Sequence, residues 1–121
     1  MIALSCITKV SAASLDTCRL AAAEANKSLP IRKDRVTVLR SAICVKGSPK
    51  SVFTYVLDLE VSKDLAKGVD FEQGIKPDVV RTFCTDPKIR PLIEAFDVDH
   101  RYYANKGEFV GSFLITSKDC K

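Results

Sequence analysis

The sequence predicts an α+β fold: an antiparallel sheet of about four strands with helices on one face, in the order α-β-β-α-β-β. Three observations predict it. An alanine-rich amphipathic stretch follows Ser14. Two pairs of alternating apolar runs come later, each pair joined by a short turn. A proline-punctuated helical segment separates the pairs. With 121 residues and 46% hydrophobic content, the chain can bury one core of its own. Residues 13–121 are assigned to that single domain, and residues 1–12 to a signal-peptide-like remnant or flexible arm.

Ser14 caps a helix running to about Ser28, with Asp16 in the first turn where the helix dipole favours a negative charge. Leu15, Cys18, Ala22, Ala25 and Leu29 share one face. The small alanines allow close approach to a sheet, and Leu29-Pro30 ends the helix. Arg35 to Val45 reads as the first strand, with Val36, Val38, Ala42 and Cys44 on one face and Thr37, Leu39, Ser41, Ile43 and Val45 on the other. Neither face is plainly polar, so this strand is placed inside the sheet. Lys46 to Lys50 is a turn.

Ser51 to Val61 gives the clearest alternation. Phe53, Tyr55, Leu57, Leu59 and Val61 face one way, while Thr54, Asp58 and Glu60 face the other together with Val52 and Val56. Asp64 to Lys67 makes one helical turn stopped by Gly68. Pro77 suits the first position of a helix carrying Val79, Val80, Phe83 and Cys84 on one stripe. Asp86-Pro87 starts or kinks the next segment, which continues through Ile89, Leu92, Ile93 and Phe96. Pro91 lacks an N–H, which predicts a local bend there. Val98 to Tyr103 and Glu108 to Thr116 form the second hairpin around Asn105-Lys106-Gly107. Phe109, Gly111, Phe113 and Ile115 are expected on one face.

Five cysteines and one histidine direct the reading of chemistry. No Cys-x-x-Cys pair occurs, and His100 stands alone, so no metal site is expected. Paired cysteines point instead to an oxidising compartment. Cys84 with Cys120 is the first candidate disulfide, pinning the C-terminus to the helical segment. Cys18 with Cys44 is a second, between the first helix and the first strand. Free buried thiols are the alternative in each case, since sequence does not fix connectivity. Residues 1–8 are apolar, and Val10-Ser11-Ala12 resembles the end of a secretory signal, although the basic start is absent. The net charge of +4 is dispersed among acidic residues and reads as a solvated surface, not a nucleic-acid footprint. No apolar run reaches the roughly 18 residues that span a membrane.

No catalytic set assembles from the sequence. Nucleophilic catalysis needs a cysteine or serine beside a base, and nothing places His100 near Cys84 or Cys120. His100 is read as a surface strand histidine. Asp97 and Asp99 share a strand face, as they would on any solvated edge. The glycines are isolated and form no phosphate loop. The candidate interaction surface is His100, Arg101, Tyr102, Tyr103 and Phe109, on the second hairpin.

Several strings are familiar in combination. They are Asn26-Lys27-Ser28-Leu29-Pro30, Asp34, Thr37-Val38-Leu39, Phe53-Thr54-Tyr55-Val56-Leu57, Cys84-Thr85-Asp86-Pro87 with Arg90 and Leu92, Tyr102-Tyr103, Gly107 and Asp119-Cys120. Across roughly residues 14–120 this resembles a family of small exported bacterial proteins of uncharacterised function. The resemblance implies export, a structural disulfide and a helix packed on an antiparallel sheet. It brings no catalytic residues. The functional expectation is a periplasmic or secreted, non-enzymatic protein-binding or envelope-associated domain without cofactor. Its expected partner is a protein, self-association through Val98–Tyr103 and Phe109–Ile115 included. The alternatives are a small enzyme with a sheet–helix pocket and a basic nucleic-acid-binding domain.

Overall fold

The first helix forms where its cap allows. In the computed structural model, which describes residues 14–120, α1 spans Leu15–Asn26. The Ser14 hydroxyl accepts the Thr17 N–H at 3.1 Å. Cys18 and Ala22 are buried, and Ala21, Ala25 and Leu29 pack beside them. The small side chains let α1 lie against the sheet, where Cys18 is bonded to Cys44 with a Cα separation of 5.9 Å. Asn26 closes the contact. Its amide nitrogen donates to the Ala42 carbonyl and its oxygen accepts the Ala42 N–H, both at 2.8 Å.

Five strands form one sheet: β1 Ile31–Arg32, β2 Thr37–Val45, β3 Val52–Leu59, β4 Asp97–Ala104 and β5 Glu108–Ile115, in that spatial order. The α+β class holds, but the sheet is mixed, not four-stranded and antiparallel. β1–β2, β2–β3 and β4–β5 are antiparallel, whereas β3 and β4 are parallel. The cause is the crossover. A short turn reverses a strand, but the helical stretch 60–96 carries the chain back to the start of β3 before β4 begins. β1 is only two residues long, below the length at which alternation shows. β2 lies inside the sheet only where β1 covers it, and β3 is the central strand.

Two bulges re-aim side chains that strict alternation places elsewhere. In β2 the register shifts between Leu39 and Ser41. Thr37 and Leu39, not Val36 and Val38, therefore join Ala42 and Cys44 on the helix-covered face, opposite Leu59, Leu57, Tyr55 and Phe53 respectively. In β5, Gly111 pairs with Tyr102 but Phe109 pairs with Tyr103. Phe109 consequently leaves the face of Gly111, Phe113 and Ile115 and stands on the open one.

The crossover begins with α2, Lys63–Ala66, whose first turn is capped by Ser62. A π-helical turn, Phe71–Ile75, is capped by Asp70 and runs directly into α3, Lys76–Thr85, with Pro77 in its first turn. Phe71 lies over Gly111, where an added Cβ would overlap its ring. Arg90 donates to the Cys84 carbonyl at 3.0 Å and closes the end of α3. Pro91 causes no break, because α4, Arg90–Ala95, starts one residue earlier and proline sits in its first turn. Cys84 of α3 is bonded to Cys120 of the closing 3₁₀ turn, Ser117–Cys120. The deepest core side chains are Phe53, Ile93, Val98 and Ile115, beneath this helical layer. The expectation for residues 1–12 lies outside the described residues.

Candidate functional site: an apolar cleft over the sheet

Two helical masses cover parts of one face of the sheet. α1 packs on β2, while the π-helical turn, α3 and α4 pack towards β4 and β5. A cleft of about 380 Å³ lies between α3 with the π-helical turn and the loop that leads into β2, over the sheet. Leu39, Leu57, Tyr55, His100 and Tyr102 form its floor, Ile75, Val79 and Phe83 its wall, and Lys33, Asp34 and Thr37 its rim.

Four polar groups on this lining are shifted from their ordinary protonation behaviour. Asp34 accepts the N–H groups of Val36 at 2.9 Å and Thr37 at 2.8 Å. These bonds, led by that from Val36, hold its carboxyl below the usual value and shape the loop into β2. His100 is buried. It stacks on Phe113 at 4.9 Å, with Tyr55 at 5.3 Å and the Phe83 edge at 5.7 Å. Burial first, and the charge of Lys33 second, push its pKa down to about 3. The imidazole is therefore neutral at physiological pH, and its Nδ1 has no hydrogen-bond partner. His100 is thus a core residue facing the helices, not the surface residue the sequence suggests. Burial, with a smaller effect of Asp34, raises the Tyr102 hydroxyl to about 12. Burial also raises Tyr55.

A general base working near neutral pH needs a matched pKa and a partner within hydrogen-bond reach. His100 has neither. Cys84 and Cys120 are disulfide-bonded and supply no thiolate. Among the described residues, no group of three His, Cys, Asp or Glu side chains is placed to hold a metal ion. The mostly apolar lining suits the uptake of an apolar group.

The five residues singled out on the second hairpin fall on two faces. His100 and Tyr102 point into the cleft. Arg101, Tyr103 and Phe109 cluster on the open face: the Arg101 guanidinium lies 4.4 Å from the Phe109 ring centre and donates to the Tyr103 hydroxyl at 3.4 Å. Asp99 lies 3.6 Å from Arg101, and burial nevertheless raises its pKa. Leu39, Tyr55, Leu57, Val79 and Phe83 are cleft residues that sequence reasoning treats as ordinary core. Their apolar stripes are visible in the chain, but the space between α3 and the loop into β2 is not.

This arrangement defines a class: a small α+β domain, disulfide-bonded, with a mostly apolar cleft on the helix-covered face of the sheet. No protein-family model and no curated protein matches the sequence. Solved structures share the fold. A secreted-protein candidate from Pseudomonas aeruginosa (PA3611) aligns with a TM-score of 0.71 at 12% identity, over 88% of this chain and 92% of that one. The pilotin EpsS of the Vibrio vulnificus type 2 secretion system aligns at 0.66 and 15% identity, over 88% and 91%. The type II secretion system pilotin AspS from Vibrio cholerae aligns at 0.63 and 18%, over 88% and 91%.

Proposed function

We propose that this chain is a non-enzymatic protein-binding domain of the bacterial envelope or secreted fraction, and that the cleft is where it binds. Its occupant is an apolar segment of a protein belonging to an envelope assembly. The observation that carries this reading is the chemistry of the cleft: an apolar lining whose buried histidine and tyrosines are held uncharged. Such a lining favours hydrophobic burial with few oriented polar contacts. The two disulfides support an oxidising compartment. Two of the fold neighbours are secretion-system pilotins, which supports an envelope role.

The test is affinity capture from bacterial envelope extract with the native chain and with Val79→Glu, which puts a charge on the cleft wall. A defined partner retained by the native chain and lost by the variant is expected. Equal recovery with both proteins would place the contact elsewhere.

A further inference from the structure

The rim of the cleft is charged where its floor and wall are not. Leu39, Leu57, Val79 and Phe83 line the interior, and the rim carries Lys33. Lys33 is exposed and has no ion-pair partner among the described residues. Its ammonium charge is felt at the floor, where it adds to burial in keeping the His100 ring neutral. Nearby acids are already engaged. Asp34 Oδ1 accepts two N–H groups of its own loop, Asp78 accepts from Arg81 at 2.9 Å, and Asp86 accepts the Lys88 N–H at 2.9 Å. An unpaired cation beside an apolar floor is complemented by an anion joined to an apolar group. Size decides how that group enters. A cleft of about 380 Å³ stands near the lower end of the roughly 300–1,000 Å³ of ligand pockets. It takes in a few side chains, not a whole helix or strand, so the occupant's backbone runs along the rim beside Lys33.

Resting on the reading of the cleft as a protein-binding site, we infer that the segment it receives carries an aspartate or glutamate beside its apolar anchors, and that this carboxylate pairs with the Lys33 ammonium at the rim. The anchors supply most of the affinity, and the ion pair sets which segments are accepted. A segment with lysine or arginine in that place meets Lys33 as a like charge and is rejected. The rim is open to solvent, so the pair is modest in strength and weakens as salt is added.

Three eight-carbon probes separate the charge from the apolar cleft: octanoate, octanol and octyltrimethylammonium, each titrated into the native chain at low salt and followed by the Val79 methyl resonances. Octanoate is expected to bind about two- to fivefold more tightly than octanol, and the cationic probe more weakly than either. Lys33→Met should make octanoate and octanol equal, Lys33→Arg should keep the preference, and Val79→Glu should abolish octanol binding. Lys33 is exposed, so its variants are expected to keep the native circular dichroism spectrum. The partner captured from envelope extract should be retained by Lys33→Arg and reduced several-fold by Lys33→Glu. Equal affinity for octanoate and octanol, a preference that survives Lys33→Met, or capture indifferent to Lys33→Glu would each overturn the inference and leave the apolar cleft standing. Binding of no probe, or octanol binding indifferent to Val79→Glu, would remove the cleft reading and the inference with it.

Discussion

Acid should weaken this protein through His100, and the size of the effect follows from its burial. The side chain is 6% exposed and its pKa lies at about 3, against 6.5 for an ordinary histidine. The unfolded chain therefore binds a proton below about pH 6.5 that the folded chain refuses until about pH 3. The folded state is favoured fully above the unfolded value and loses ground as pH falls through this window. Between pH 7 and about pH 4.5 the linkage costs roughly 2–3 kcal/mol, a large share of a typical domain's stability. His100→Phe removes the titrating group and keeps a ring to stack on Phe113. Urea unfolding of both proteins at the two pH values separates this contribution from that of the carboxylates, which both share. The native chain should lose roughly 2–3 kcal/mol more than the variant. Equal losses would show that His100 is hydrated in the folded protein, and the dry floor of the cleft would fall with it.

Other perturbations reach the elements that frame the cleft. Gly111→Ala should destabilise by about 1–3 kcal/mol by displacing Phe71; adding Phe71→Leu should recover part of it in the same denaturation assay. Asn26→Ala leaves both backbone groups of Ala42 without their partner and should cost about 1–3 kcal/mol, with Asn26→Asp intermediate. Replacing Cys84 and Cys120 by alanine opens a loop with a sequence separation of 36, worth about 4 kcal/mol in the chain-entropy account. The thermal midpoint should then fall by roughly 10–20 °C. An unchanged midpoint under non-reducing conditions would contradict that role for the bond.

Local features were legible in the sequence and long-range ones were not. Ser14, Pro77, the Asp86 turn and the alternation of β3 mark themselves through nearest-neighbour chemistry, and the structure places elements accordingly. The parallel pairing of β3 with β4 depends on where a long crossover delivers the chain, which no local pattern encodes. The bulges near Arg40 and Val110 each insert a single residue. That is enough to exchange the faces of Thr37 and Leu39 with those of Val36 and Val38, and to separate Phe109 from Phe113. His100 misleads because Asp99 and Arg101 beside it are charged, yet in a strand those neighbours point to the opposite face. The cleft is a gap between elements distant in sequence, and its lining is indistinguishable from core until α3 and the loop into β2 are placed.

Photo-crosslinking in living cells tests the central claim most directly. A photoreactive side chain at Val79 faces the cleft, whereas one at Arg81 of the same helix stands in solvent. The account predicts one discrete crosslinked protein adduct from position 79, absent from position 81 and lost when Leu39→Asp is added to fill the cleft floor with charge. Adducts of equal yield from both positions, or none from position 79 while the folded protein is present in the envelope fraction, would contradict it.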